Sequence, residues 1–283
     1  MTTIASIGTG NMGTALITGI LTADPSIEVR ATTQSAASTQ TLAAALPDAV
    51  VTSVEENPEA NREAVAGADF VFLGVKPWMM AETLRELAPA LSPDSVLVSM
   101  AAGVAAADLK KLAPGSPIVR IMPNTPSSIG YGVIALAPAP GVDPTATATL
   151  RTLLSGAGLV VPLAEAEIPA MTGISGSGVA YFFLLAEAMI EAGVTLGLTA
   201  ETAAKMVVAT ADGAGRLLAD NPDPAALRQA VSSKGGTTLA ALNTFIDAGI
   251  FDITAVDNPV SEQLFNEVVG SLSAAFSRYT NDG

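Results

Sequence analysis

Gly8-Thr-Gly10-Asn-Met-Gly13 is the first stretch of the chain whose residue types and spacing could do chemistry. In a G-x-G-x-x-G set between a strand and a helix, Gly8 permits the tight turn, Gly10 lets a pyrophosphate approach the backbone, and Gly13 packs helix against strand. The helix that follows aims free N–H groups and a positive dipole end at that pyrophosphate. An ordinary glycine-rich turn has the same residues, but the apolar run before the loop and the helical pattern after it favour a dinucleotide site. An NAD-selective site places a carboxylate at the end of the second strand, about 20 residues on, to accept from the ribose 2′-OH. Here that stretch reads Arg30-Ala-Thr-Thr-Gln-Ser35, and Glu28 stands too early. The hydroxyls of Thr32, Thr33 and Ser35 can receive a 2′-phosphate instead. NADPH is the expected cofactor, with NADH admissible because no dedicated Arg follows the strand.

A second glycine-rich stretch lies far downstream, Val231-Ser-Ser-Lys-Gly-Gly-Thr-Thr238. Consecutive glycines ahead of a helix expose several backbone N–H groups, a concavity suited to a carboxylate, and Lys234 adds a cation. The same residues also describe a plain helix-entry turn with Thr237 or Thr238 as N-cap, and residue types alone leave both readings open. Taken singly, Lys76 reads as a solvated lysine at a strand end, Asp69 as a turn residue and Tyr181 as a core or interface aromatic. The chain has no His and no Cys. That excludes Ser-His-Asp triads, thiolate nucleophiles, disulfides and metal sites built on either residue. No metal is expected, and catalysis must run on hydroxyls, amides, carboxylates, lysines, backbone donors or a borrowed cofactor.

The elements that must position these loops alternate through the first half. Strand-like runs at 4–7, 27–31, 70–75, 95–99 and 118–121 are separated by helical patterns at 11–21, 36–46, 79–90 and 105–112. Such alternation predicts an α/β fold, a doubly wound, mostly parallel Rossmann-like sheet. From residue 165 onward the pattern is helical, with segments at about 179–193, 200–220, 222–230, 237–248 and 260–279. Thr199 and Asp223 are candidate N-caps, the latter followed by Pro224 at the first helical position. The predicted domains are 1–162, dinucleotide-binding, and 163–283, all-helical, for dimerisation and substrate binding.

With 13 Lys+Arg against 27 Asp+Glu, a formal net charge of -14 argues against nucleic acid as a partner. Charged residues are only 14% of the chain while 49% are hydrophobic, so apolar surface is expected to be hidden in a subunit interface. Residues 168–190 approach the ~20 apolar residues that span a bilayer. Gly173, Gly176, Gly178 and Glu187, with no flanking Lys or Arg, favour a helix buried on all sides in a subunit interface over a membrane span. The N-terminus has no basic region and does not read as a signal peptide, so a cytoplasmic protein is expected.

In chain order, several stretches resemble the pyrroline-5-carboxylate reductase family. They are the loop Ile7-Gly-Thr-Gly-Asn-Met-Gly13, the strand Asp69-Phe-Val-Phe-Leu-Gly-Val-Lys-Pro77 with Asn61 upstream, Ser99-Met-Ala-Ala-Gly103, and Arg120-Ile-Met-Pro-Asn-Thr-Pro126. Thr172-Gly-Ile-Ser-Gly-Ser-Gly-Val-Ala-Tyr181 and the 231–238 loop follow. The resemblance implies reduction of 1-pyrroline-5-carboxylate to L-proline, the last step of proline biosynthesis. It implies that Gly8, Thr9, Gly10, Asn11, Met12 and Gly13 hold the pyrophosphate, and that Asn61, Val75, Lys76 and Pro77 line the adenosine and nicotinamide ribose sites. Ala101, Ala102, Gly103 and Asn124 would border the nicotinamide. Ser233, Gly235, Gly236, Thr237 and Thr238 would receive the carboxylate and ring nitrogen of a cyclic imine. It further implies a homodimer with the substrate site between subunits, and larger assemblies of dimers.

This chain departs from the family pattern at Val179 and Lys234, where the family usually has Pro, and at Pro169, which replaces the acidic residue expected shortly before Thr172 and leaves Glu165 as the nearest match. Extra sequence also stands between Ile250 and Leu264. A cyclic imine can arrive already protonated, so proximity and orientation are the main demands, and Thr238 is the expected catalytic residue, hydrogen-bonded to the ring nitrogen. The alternatives are reductase of a related cyclic imine, a β-hydroxyacid dehydrogenase-like enzyme, which would need a Lys early in the 173–181 stretch where there is none, and a non-catalytic NADP-binding sensor.

Overall fold

The computed structural model describes residues 2–233 and 236–247. The chain divides into two compact units, Met1–Gly178 and Val179–Gly283. The first is built on an eight-stranded sheet in the order β3-β2-β1-β4-β5-β6-β7-β8. Its strands are β1 (Thr3–Ile7), β2 (Glu28–Thr33), β3 (Val50–Ser53), β4 (Phe70–Leu73), β5 (Val96–Ser99), β6 (Ile118–Pro123), β7 (Gly132–Pro138) and β8 (Gly158–Pro162). Every pairing is parallel except β6 with β7. The first six strands therefore follow the doubly wound dinucleotide-binding order, and its reversal point falls between β1 and β4.

Helices α1 (Asn11–Ala23), α2 (Ala36–Ala45), α3 (Ala60–Val65), α4 (Met80–Leu87), α5 (Ala106–Leu112) and α6 (Pro144–Leu154) make the crossovers. Side chains alternate along each strand, so one sequence feeds two cores. Ile4, Phe70, Phe72, Val96 and Val98 pack with Leu16, Ile17 and Ile20 of α1, Leu42 of α2 and Leu150 of α6. Ala5, Ile7, Val71, Leu73 and Leu97 pack on the other face with Val65 of α3, Leu84 of α4 and Leu109 of α5. Both faces of β4 are buried, which is why Phe70-Val-Phe-Leu73 reads as an unbroken apolar run.

After β8 the described residues are mainly helical. The short α7 (Ile168–Met171) runs through a π-helical turn at Thr172–Gly176 into α8 (Gly178–Thr195). Then come α9 (Ala200–Asp220), α10 (Pro224–Ala230) and α11 (Thr237–Asp247). Thr199 caps α9 by accepting from the Thr202 N–H at 3.2 Å, and Asp223 caps α10 by accepting from the Ala226 N–H at 3.0 Å, with Pro224 at the first helical position. In the second unit Ala188 and Ala192 of α8 and Ala203 and Val207 of α9 are buried. The helix expected at 260–279 and the extra sequence after Ile250 lie outside the described residues.

The apolar start of α8 is uncovered within the chain: Tyr181, Phe182, Phe183, Leu184 and Leu185 are all exposed, Phe182 by 70% and Phe183 by 68%. Alanines rather than the large residues make the contacts inside this unit. As consecutive residues of a helix the large ones spread around its axis, and together they expose apolar surface of the kind that marks an interaction site.

Candidate functional site

The phosphate loop sits at the β1/β4 reversal point. Gly8 follows β1 with a φ of 69°, and a Cβ there would meet the Cγ1 of Val75 at 2.6 Å, so both backbone hand and space require glycine. A Cβ on Gly10 would meet nothing within 4 Å, and one on Gly13 would meet the Cγ2 of Thr9 at 3.1 Å. Gly10 thus faces open space while Gly13 faces packing, as the motif's division of labour requires. Helix α1 begins with Gly10 as its N-cap, no capping side chain, and no acidic residue in the first turn. Its leading N–H groups and dipole are left for an anion.

Behind the loop lies a buried polar chain. The Gly8 N–H donates to Thr32 Oγ1 at 3.3 Å, and that hydroxyl donates to Asn61 Oδ1 at 2.7 Å. Asn61 Nδ2 then donates to Glu86 Oε1 at 3.1 Å. The Thr9 N–H donates to the Thr32 carbonyl at 2.8 Å, and the Thr9 hydroxyl lies 2.9 Å from the Ser6 carbonyl oxygen. Thr32 is only 1% exposed, which corrects the expectation that it could receive a 2′-phosphate: its hydroxyl is already used from both sides. Thr33 is also buried, its hydroxyl 2.6 Å from that of Thr39. Ser35 is half-buried and caps α2, accepting from the Ser38 N–H at 3.3 Å.

Val75 packs against the lower core, while Lys76 and Pro77 are exposed at the end of β4. Ala101 is buried, with its N–H 3.3 Å from Ser99 Oγ, and Ala102 and Gly103 are exposed in the turn before α5. Asn124 is buried and works in two directions: its Oδ1 accepts from the Val133 N–H at 2.8 Å, and its Nδ2 donates to the Ser175 carbonyl at 3.0 Å. It thereby ties β7 to the π-helical turn, a feature frequent at functional sites.

The sequence names Glu165 only through the departure from the family pattern at Pro169 and does not pair it with Arg120. Glu165 Oε1 accepts from the Ala106 N–H at 2.7 Å and from Arg120 Nη1 at 2.9 Å. Desolvation pushes this carboxyl upward, but the Ala106 N–H and the Arg120 guanidinium outweigh it and hold the group below its usual 4.5. The carboxylate thus fixes the start of α5, next to Ala101, Ala102 and Gly103, to β6. A glutamate far away in sequence carries no local signal for such a clamp.

In the second unit Ser233 is exposed, Gly236 and Thr237 are half-buried, and Thr238 is exposed. Helix α11 starts at Thr237, so both threonines lie in its first turn and Gly236 precedes it. The Gly236 N–H donates to the Ser233 carbonyl at 3.0 Å. Lys234 and Gly235 lie outside the described residues. Among the described residues no group of His, Cys, Asp and Glu is arranged to hold a metal.

A doubly wound sheet with an open glycine loop at its reversal point defines the first unit as a dinucleotide-binding domain. Its residues 3–103 match the family model described as NADP oxidoreductase, coenzyme F420-dependent. Residues 165–256 match the model described as pyrroline-5-carboxylate reductase dimerisation. The pyrroline-5-carboxylate reductase of Corynebacterium melassecola is 41% identical over 256 residues, covering 88% of this chain and 92% of its own. A solved pyrroline-5-carboxylate reductase from Coxiella burnetii superposes with a TM-score of 0.77 at 30% identity, over 97% of both chains. The Plasmodium falciparum pyrroline carboxylate reductase, solved with NADP bound, superposes with a TM-score of 0.76 at 24% identity, over 98% of this chain and 97% of that one. This chain belongs to the pyrroline-5-carboxylate reductase family, NAD(P)-dependent oxidoreductases of proline biosynthesis.

Proposed function

We propose that this protein reduces 1-pyrroline-5-carboxylate to L-proline with NADPH as donor and NADH admitted, as a homodimer in the cytoplasm. The observation that supports the cofactor reading is the open N-terminus of α1, where Gly10 faces empty space and no side chain caps the helix. An uncapped helix N-terminus of this kind favours a diphosphate by charge and by its free N–H groups. NADPH supplies the hydride that reduces the C=N bond.

The chain's own residues bind and orient. Gly8, Thr9, Gly10, Asn11, Met12 and Gly13 hold the pyrophosphate, with Thr33 and Ser35 near the adenosine ribose. Asn61 acts there by fixing Thr32 and through it the Gly8 N–H. Val75, Lys76 and Pro77 line the ribose path, and no ion pair engages the Lys76 ammonium among the described residues. Ala101, Ala102, Gly103 and Asn124 border the nicotinamide. Ser233, Gly235, Gly236 and Thr237 hold the substrate carboxylate against the N-terminus of α11, whose first turn carries no acidic residue. Thr238 hydrogen-bonds the ring nitrogen and keeps the iminium oriented. The dimer forms through the apolar face of α8, and larger assemblies are built from such dimers. A helical run, Glu165–Thr195, is long and apolar enough to cross a membrane; its position within the dimerisation match supports an interface instead.

Thr238→Ala, assayed by NADPH consumption with pyrroline-5-carboxylate, tests the assignment. Loss of a hydrogen bond to a charged group lowers kcat/KM about tenfold to a hundredfold, with NADPH affinity retained. An unchanged kcat/KM would remove Thr238 from the mechanism.

A further inference from the structure

We propose that Glu55, a residue of the loop after β3, sets the balance between phosphorylated and unphosphorylated nicotinamide cofactors by occupying the place of the acid missing after β2. β3 pairs with β2 in parallel register, Thr33 opposite Ser53. The pairing continues beyond the strand ends: the Val54 N–H donates to the Thr33 carbonyl at 2.9 Å and the Glu55 N–H to the Gln34 carbonyl at 3.1 Å. This zips the loop after β3 onto the loop after β2 and carries the Glu55 carboxylate to the start of α2, where Oε2 accepts from the Ala36 N–H at 3.1 Å.

In this fold the loop after β2 receives the adenosine ribose. A carboxylate there accepts from a 2′-OH and opposes a 2′-phosphate. Glu55 brings such a carboxylate to this loop from the turn after the neighbouring strand. It takes a backbone N–H of α2 that a phosphate would use, and its charge faces the same region. No Lys or Arg pairs with it among the described residues. The hydroxyls that remain are already engaged, Thr33 with Thr39 and Ser35 with Ser38. A 2′-phosphate must therefore displace Glu55 from Ala36, while a 2′-OH can bind with Glu55 in place. Glu55 in this way holds down preference for the phosphorylated cofactor and keeps the unphosphorylated one usable.

The inference rests on the dinucleotide site of the proposed function, so its test is binding rather than turnover. Calorimetric titration compares ADP-ribose with 2′-phospho-ADP-ribose on the wild-type protein and on Glu55→Gln, which removes the charge and keeps an acceptor for Ala36. The affinity ratio of the phosphorylated over the unphosphorylated ligand is expected to rise about tenfold, the order of one removed charge repulsion near a solvated surface. Glu55→Ala is expected to move the ratio in the same direction. A ratio unchanged within twofold, or an equal loss for both ligands, overturns the role of Glu55 while leaving the site itself intact. Failure of the wild-type protein to bind either ligand overturns the site and this inference together.

Discussion

Thr32 holds the phosphate loop from behind. Its hydroxyl receives the Gly8 N–H and donates to Asn61, so one buried side chain connects the turn of the loop to α3 and, through Glu86, to α4. Thr32→Val keeps the shape and leaves two polar groups without a partner, at a cost of about 1–3 kcal/mol for a buried group. A urea unfolding curve should show that loss, with weakened NADPH binding alongside it. Gly10→Ala should act oppositely. Its Cβ enters empty space in the free protein, so stability should stay within about 0.5 kcal/mol. The methyl group then blocks the pyrophosphate, and NADPH affinity should fall at least about tenfold by fluorescence titration, a loss of about 1.4 kcal/mol. The sole tryptophan, Trp78, stands beside Lys76 and Pro77 and provides the signal. The three glycines were legible because their spacing is the mechanism. The double use of Thr32 was not, since a threonine at a strand end looks the same whether its hydroxyl points to a ligand or into the protein.

The elements divide in the same way. β1, β2, β4, β5 and β6, with α1, α2, α4 and α5, announce themselves through apolar runs and alternation of strand with helix. β3 does not, because it is a four-residue edge strand whose first residue, Val50, is 62% exposed. β7 pairs antiparallel to β6 after a short turn, with no crossover helix between them, so βα alternation gives no sign of it. At this scale the Glu165 clamp makes a pH prediction. Its carboxyl is held below 4.5 in the folded chain, so the clamp's contribution is present above that value and disappears as pH falls through the folded one. Glu165→Gln should lower stability at neutral pH by about 1 kcal/mol, since part of the carboxylate is solvent-screened. The gap to wild type should close at acidic pH. Unfolding curves followed from neutral pH down into acid check both halves of this expectation.

For the whole molecule, the composition already implied an unseen surface: 49% hydrophobic residues with only 14% charged is sparse cover for a lone chain. Part of that surplus lies exposed at 181–185, within the dimerisation match at 165–256. If α8 forms the proposed two-fold interface, each residue is used twice, and Phe183→Asp removes two rings from it, each of about 1.5–3 kcal/mol. Light scattering should show the dimer weakened by a factor of at least about a hundred. The absence of His and Cys fits the chemistry, since an iminium carbon needs positioning by amides and a hydroxyl more than a tuned acid. The most direct measurement follows the transferred atom. With [4-2H]NADPH of the appropriate face and 1-pyrroline-5-carboxylate, mass spectrometry should find one deuterium at the δ carbon of the proline formed, in step with cofactor oxidation. Cofactor oxidation without labelled proline, or no oxidation of either NADPH or NADH, would contradict it.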